Sequence, residues 1–171
     1  MLSKIYLAFL LTLGINISAY GETFFGGLIA LNIPSGFKLI DLGKLPGGDS
    51  PNMPGVETIK LHYVSAKGTS LILMQMDFNL DLNAAGLTPA YIVQTSMGTA
   101  VEPKMTSLSG IPAAKVRNES PSNKEGLLST TYGIIMGTKS ILLVAVGLPT
   151  SDDYQLAINA IETIKISLPT K

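Results

Sequence analysis

The chain contains no cysteine. That absence excludes disulfides, thiolate nucleophiles, cysteine-held zinc and the lipidated cysteine that tethers a bacterial lipoprotein. It leaves the redox compartment open, because an oxidising compartment permits disulfides without requiring them. Histidine occurs once, as His62, and arginine once, as Arg117. An excess of one charge is missing too, with 12 basic against 12 acidic residues. Nucleic-acid binding rests on neutralising phosphates, and no basic cluster is present to do it. No polybasic stretch suits an anionic membrane surface either. Long apolar runs are also lacking: the two candidates, residues 5–13 and 141–148, fall short of the roughly 20 residues that a membrane-crossing helix needs.

The first of those runs follows Lys4 and precedes Gly14 and Asn16, which weaken a helix. This is the layout of a secretory signal peptide. Ala19 and Gly21 stand two apart and offer a cleavage site, so the mature chain is expected to begin at Glu22. Residues 1–21 are read as the leader and 22–171 as one domain with one core. The expected location is the periplasm or the medium, with no stable membrane anchor after cleavage.

Within the mature part, strands are expected near residues 28–33 and 37–42, separated by a Pro-Ser-Gly turn. Residues 43–55 are rich in Gly and Pro and read as a loop. The stretch VETIKLHYV alternates, with Ile59, Leu61 and Tyr63 on one face and Thr58, Lys60 and His62 on the other. In the next strand Ile72, Met74, Met76, Phe78 and Leu80 form one row, and Gln75, Asp77, Asn79 and Asp81 the other. The expectation is that Met74 and Met76 are buried and Gln75 exposed. Thr88-Pro89 starts a helix with stripe Ala90, Val93 and Met97, which Gly98 ends. A strand pair turns around Gly110 and Pro112, and a second hairpin crosses Gly137. Residues 118–126 read as a loop. Ser151 is placed to cap a last helix, with Asp152 and Asp153 favourable in its first turn. Tyr154, Ala157, Ile158, Ile161 and Ile164 form that helix's buried stripe. Because residues 141–148 are apolar on both faces, the sheet is expected to be covered on both sides, in three layers.

The stretches Ile-Pro-Ser-Gly-Phe-Lys at 33–38 and Leu-Ser-Gly-Ile-Pro-Ala at 108–113, a late hairpin, and a capped helix running into Glu-Thr-Ile-Lys-Ile together resemble the PsbP-like and DcrB-like families. The resemblance spans about residues 28–167 and rests on turns and strand ends. It implies an α+β fold, a largely antiparallel sheet covered by helices on both faces as an α-β-α sandwich. It implies no shared catalytic motif, since these families include photosystem subunits, envelope lipoproteins and chaperones of secreted effectors. The chain departs from the envelope lipoproteins in lacking their anchoring cysteine.

Each sharper chemical reading meets a plainer one. Met74 and Met76 lie on an apolar row, where methionine is an adaptable core filler, and the other methionines are distant in sequence, so a soft-metal clamp is not expected. Gly48-Asp49-Ser50 has the form of a GDS-type nucleophile block, but His62 is the only histidine and no Gly-x-Ser-x-Gly elbow occurs. Asp77, Asn79 and Asp81 match the first positions of a calcium loop, yet Leu82 stands where the turn glycine belongs and Thr88 where the bidentate glutamate does. His62 beside Lys60 reads as an exposed surface residue. Asp77 and Asp81, roughly 13 Å apart on a strand, are too far apart to share a proton. No catalytic centre, metal or cofactor is therefore expected. The loop at 43–55 is the candidate binding element, through Leu45, Asp49, Ser50 and Met53.

The function expected from these features is that of an exported, noncatalytic accessory protein of the bacterial cell envelope, which contacts an envelope or secreted protein through a sheet edge or the 43–55 loop. The alternative is a carrier of a small apolar, lipid-like ligand held between helix and sheet.

Overall fold

The computed structural model describes residues 21–40, 57–97, 101–119 and 126–168, with only the backbone of Glu57 and Met97. The leader at 1–20, the candidate loop residues Leu45, Asp49, Ser50 and Met53, Gly98, and residues 120–125 lie outside them.

Ten strands and two helices follow one another in the described chain. They are β1 Glu22–Phe24, β2 Ile29–Leu31, β3 Phe37–Ile40, β4 Glu57–Ser65, β5 Ser70–Asp77, α1 Pro89–Met97, β6 Lys104–Leu108, β7 Ile111–Glu119, β8 Leu128–Met136, β9 Lys139–Gly147, α2 Asp152–Glu162 and β10 Lys165–Ile166. Seven strands form one sheet in the order β3-β4-β5-β9-β8-β7-β6, and β1, β2 and β10 form a second. Every pairing is antiparallel. Local chemistry accounts for the short connections. Ser109 and Gly110 both take positive φ, 52° and 79°, which is the geometry a two-residue hairpin requires between Leu108 and Ile111. Gly137, with φ 61°, starts the β8–β9 turn as the sequence predicts.

The pairing register assigns each side chain to a face. On the first face Tyr63, Leu71, Leu73, Ala113, Tyr132, Ile134, Ile141, Leu143 and Ala145 join one core. That core is closed by Tyr154, Ala157, Ala160 and Ile161 of α2 and by Phe24, Ile29 and Leu31 of the small sheet. On the second face Met76, Ala114, Val116, Ile135 and Leu142 pack under Ile92 and Val93 of α1 and under Leu82.

The expected α-β-α sandwich, with helices covering both faces, is overturned. Two helices of nine and eleven residues cannot roof seven strands. At 1.5 Å per residue each is roughly 14–17 Å long, against a sheet about 29 Å wide at 4.8 Å per strand spacing. The first face is instead covered jointly by α2 and a second sheet made from the first and last described strands. The expectation failed because two-sided apolarity says that a strand is covered, and not by what. Three strands of two to three residues, β1, β2 and β10, carry too little pattern to be seen as a layer.

The Met74 and Met76 reading needs the same correction. Met76 is buried under α1 and Met74 is partly buried, as their row implies. Gln75, expected to be exposed, is only 4% exposed, because its row continues Leu71 and Leu73 on the first face. A polar side chain at the end of an apolar row marked solvent in the sequence, whereas the strand is central and covered on both sides there.

Candidate functional site

The described residues carry three places where chemistry-bearing groups meet. The first is a half-open cavity of about 410 Å3 at one end of the large sheet. Lys67, Gly68 and Thr69 enter it from the β4–β5 turn, Leu127 from the approach to β8, Gly147 and Leu148 from the end of β9, and Thr150, Ser151 and Asp152 from the start of α2. The turn is held by backbone bonds, Ser65 N–H to the Thr69 carbonyl at 2.9 Å and Gly68 N–H to the Ser65 carbonyl at 3.0 Å. The helix start is held by the pair Thr130 Oγ1 and Tyr154 OH at 2.6 Å. Gly147 lies so close to Thr69 that an added Cβ would stand 2.8 Å from Thr69 Oγ1. The Ser151 side chain does not cap the helix as the sequence predicts: its Oγ is buried without a partner, and the Ser151 carbonyl instead accepts the Tyr154 and Gln155 N–H groups.

The second place lies at the far end of α2. Tyr132 OH donates to Glu162 Oε1 at 2.5 Å, and Lys115 Nζ donates to the same oxygen at 3.0 Å. The ammonium also lies 4.9 Å from the centre of the Tyr132 ring. Burial, and then the bond to the carboxylate, hold the Tyr132 hydroxyl protonated far above its ordinary range. The Tyr132 bond is the main cause that lowers the Glu162 carboxyl, and Lys115 adds to it while burial opposes them. With its carboxylate stabilised and its phenol firmly protonated, the cluster fastens the helix to β7 and β8. Its members are 17 to 47 positions apart in the chain, and no local pattern announces them.

The third place is around His62. It is partly buried, not exposed, and its Nε2 lies 2.9 Å from Ser70 Oγ. Burial first, and Lys60 second, lower its pKa, so the ring is neutral at physiological pH. A histidine and a serine at hydrogen-bond distance are two members of a hydrolytic triad, but no carboxylate bonds to this imidazole among the described residues.

The other residues singled out from the sequence diverge. Asp77 accepts from Gln75 Nε2 at 3.0 Å and pairs with Lys139 at 2.7 Å, directly across the β5–β9 ladder. Asp81 accepts the N–H groups of Asn83 and Ala84 and so shapes the turn after β5. The two carboxylates thus have separate structural partners. Among the described residues no three His, Asp or Glu side chains are grouped to hold a metal ion.

No family model matches the chain, and neither does any curated protein. Its fold is similar to that of two solved structures. One is a protein of Bacteroides thetaiotaomicron, 12% identical at a TM-score of 0.55, with 89% of this chain and 50% of that one covered. This chain therefore spans about half the length of that protein. The other is LpqN of Mycobacterium tuberculosis, a protein involved in cell envelope biogenesis, 15% identical at a TM-score of 0.50, with 81% of this chain and 83% of that one covered. At these identities the likeness is one of fold. Among the described residues no helix is long and apolar enough to cross a membrane.

Proposed function

We propose that this is an exported, noncatalytic accessory protein of the cell envelope that works by binding another protein. Export is supported by the leader pattern at 1–21, and an envelope role by the fold shared with LpqN, itself involved in cell envelope biogenesis. The finer likeness to PsbP-like and DcrB-like proteins, part of the same proposal, rests on the sequence stretches at 33–38 and 108–113.

The observation that carries the binding mode is strand β6. It ends the seven-stranded order, and four of its five residues are exposed. In the β6–β7 hairpin the closing pair is Leu108 and Ile111, so the alternation of an antiparallel ladder turns the backbone groups of Leu108, Thr106 and Lys104 toward β7 and those of Met105 and Ser107 outward. An extended segment of a partner adds to such an edge as a further strand. Met105, 58% exposed, offers an apolar handle beside it. The alternative, a carrier of a small apolar ligand between helix and sheet, has less support. At Gly133 the helix α1 lies against the sheet so closely that an added Cβ would be 2.3 Å from Val93 Cγ2.

The test is Met105→Pro, which removes one outward N–H and leaves the bonds to β7 in place. A crosslinked partner recovered from the native envelope is expected to be lost with this variant and retained with Gln155→Ala on the exposed side of α2. Equal recovery from both variants would rule out the edge as the binding element.

A further inference from the structure

We infer that the outer side of β6 pairs with the β6 strand of a second copy of this chain, giving a two-fold dimer when no other strand occupies it. The inference rests on the edge of the reading above and names what meets that edge in the absence of another partner. Lys104, Met105, Thr106 and Ser107 are all exposed, and no described strand pairs with their outer side. Edges are ordinarily blunted by a charge, a proline or a bulge. Here such devices stand only at one end, at Pro103 and Lys104, while Met105, Thr106 and Ser107 carry neither charge nor proline and the ladder to β7 runs without a bulge.

The outward backbone groups select one arrangement. They belong to Met105 and Ser107, and two antiparallel copies satisfy all of them when Met105 lies opposite the partner's Ser107, with Thr106 opposite the partner's Thr106 on the axis. An axis at Met105 would set Ser107 against the partner's Pro103, which has no N–H to give. An axis at Ser107 would set Met105 against the partner's Ser109, which has left the strand with φ 52°. Charge also favours the Thr106 axis. Lys104 then faces the partner's Leu108, so no like charges stand directly opposite, and a threonine pair is a favourable cross-strand contact. Met105, 58% exposed, becomes a diagonal neighbour of the partner's Met105 on the second face, and each covers the other. The contact uses one patch on both copies, so it closes at two, and β3 at the other end of the strand order takes no part. Five residues from each copy make a small interface of the weak, exchangeable class, which a partner strand can displace.

The absence of cysteine makes the axis directly testable. Residues facing each other in a non-hydrogen-bonded pair have Cα atoms about 4.5 Å apart, within disulfide reach, whereas diagonal neighbours are about 7–8 Å apart and outside it. Under mild oxidation the exported protein carrying Thr106→Cys is therefore expected to form a disulfide-linked dimer about tenfold faster than the one carrying Ser107→Cys. Sedimentation equilibrium of the unaltered protein is expected to show a mass that rises toward the dimer between about 10 µM and 1 mM. Thr106→Lys sets two ammonium groups against each other on the axis and is expected to stay monomeric over that range, with an unchanged far-UV circular dichroism spectrum. The cysteine pair and the unaltered protein decide the matter should that variant fold poorly. No rise in mass up to about 1 mM, equal crosslinking of the two cysteine variants, or a folded Thr106→Lys protein that dimerises as well as the unaltered one overturns the proposal. The edge-strand reading fails separately, through equal recovery of the native partner with Met105→Pro and Gln155→Ala, whether or not the dimer forms.

Discussion

Gln75 is the residue whose environment most contradicts its chemistry. Its amide nitrogen donates to both oxygens of Asp77, and its Oε1 is buried with no partner. A buried orphan acceptor carries its full desolvation cost, about 1–3 kcal/mol, against a net gain of about 1 kcal/mol for the bond made. Gln75→Leu, which keeps the volume and removes the orphan, is therefore expected to be neutral or to stabilise by about 1 kcal/mol in urea unfolding. A loss above about 2 kcal/mol would mean that the bond to Asp77 matters more than the orphan. Two further residues set a pH dependence. The folded pKa of His62 lies below its ordinary 6.5, so the unfolded chain takes up the proton first and stability falls as the pH drops below that value. The folded pKa of Glu162 lies below 4.5, so its contribution is present above that value and is lost as the pH falls through the folded pKa. Thermal melts across the acid range should show two declines. His62→Gln should flatten the one below about pH 6.5 and Glu162→Gln the one below about pH 4.5.

Elements in this fold are held by a few close approaches. Helix α2 is tied to β8 at both ends, by Tyr154 with Thr130 and by Glu162 with Tyr132. Helix α1 is seated through Gly133, whose missing side chain leaves room for Val93. Val93 is fully buried and β-branched, so it cannot rotate out of the way. Gly133→Ala is expected to cost about 1–3 kcal/mol in urea unfolding, the range for overpacking. A cost under about half a kcal/mol would show that α1 can lift from the sheet. The start of α1 and the buried stripe of α2 were legible: Thr88 Oγ1 accepts the Tyr91 N–H at 3.2 Å ahead of Pro89, and the stripe from Tyr154 to Ile164 is buried apart from the partly exposed Ile158. The capping bond of Ser151 was not: no side-chain bond caps the helix, and the Ser151 Oγ is buried without a partner.

At the scale of the whole molecule, the exported protein is expected to begin at Glu22. N-terminal sequencing that found a start upstream of residue 17 would contradict this. Glu22 opens β1 and accepts from Tyr63 OH at 3.4 Å, so the start of the described chain is integrated into the fold. What the sequence by itself determined was local and periodic: strand alternation, the turns at Gly36, Gly110 and Gly137, both helices, and the absence of cysteine chemistry and of a basic surface. These follow from backbone sterics and side-chain period, which act over a few residues. Only the tertiary structure decided the second sheet, the burial of Gln75 and partial burial of His62, the place of β6 at the end of the described strand order, and the meeting of Lys67, Thr69, Ser151 and Asp152 around one cavity. Each of these depends on which strand becomes an edge and which a centre. That is fixed by pairings between segments tens of residues apart, about which no local pattern carries information.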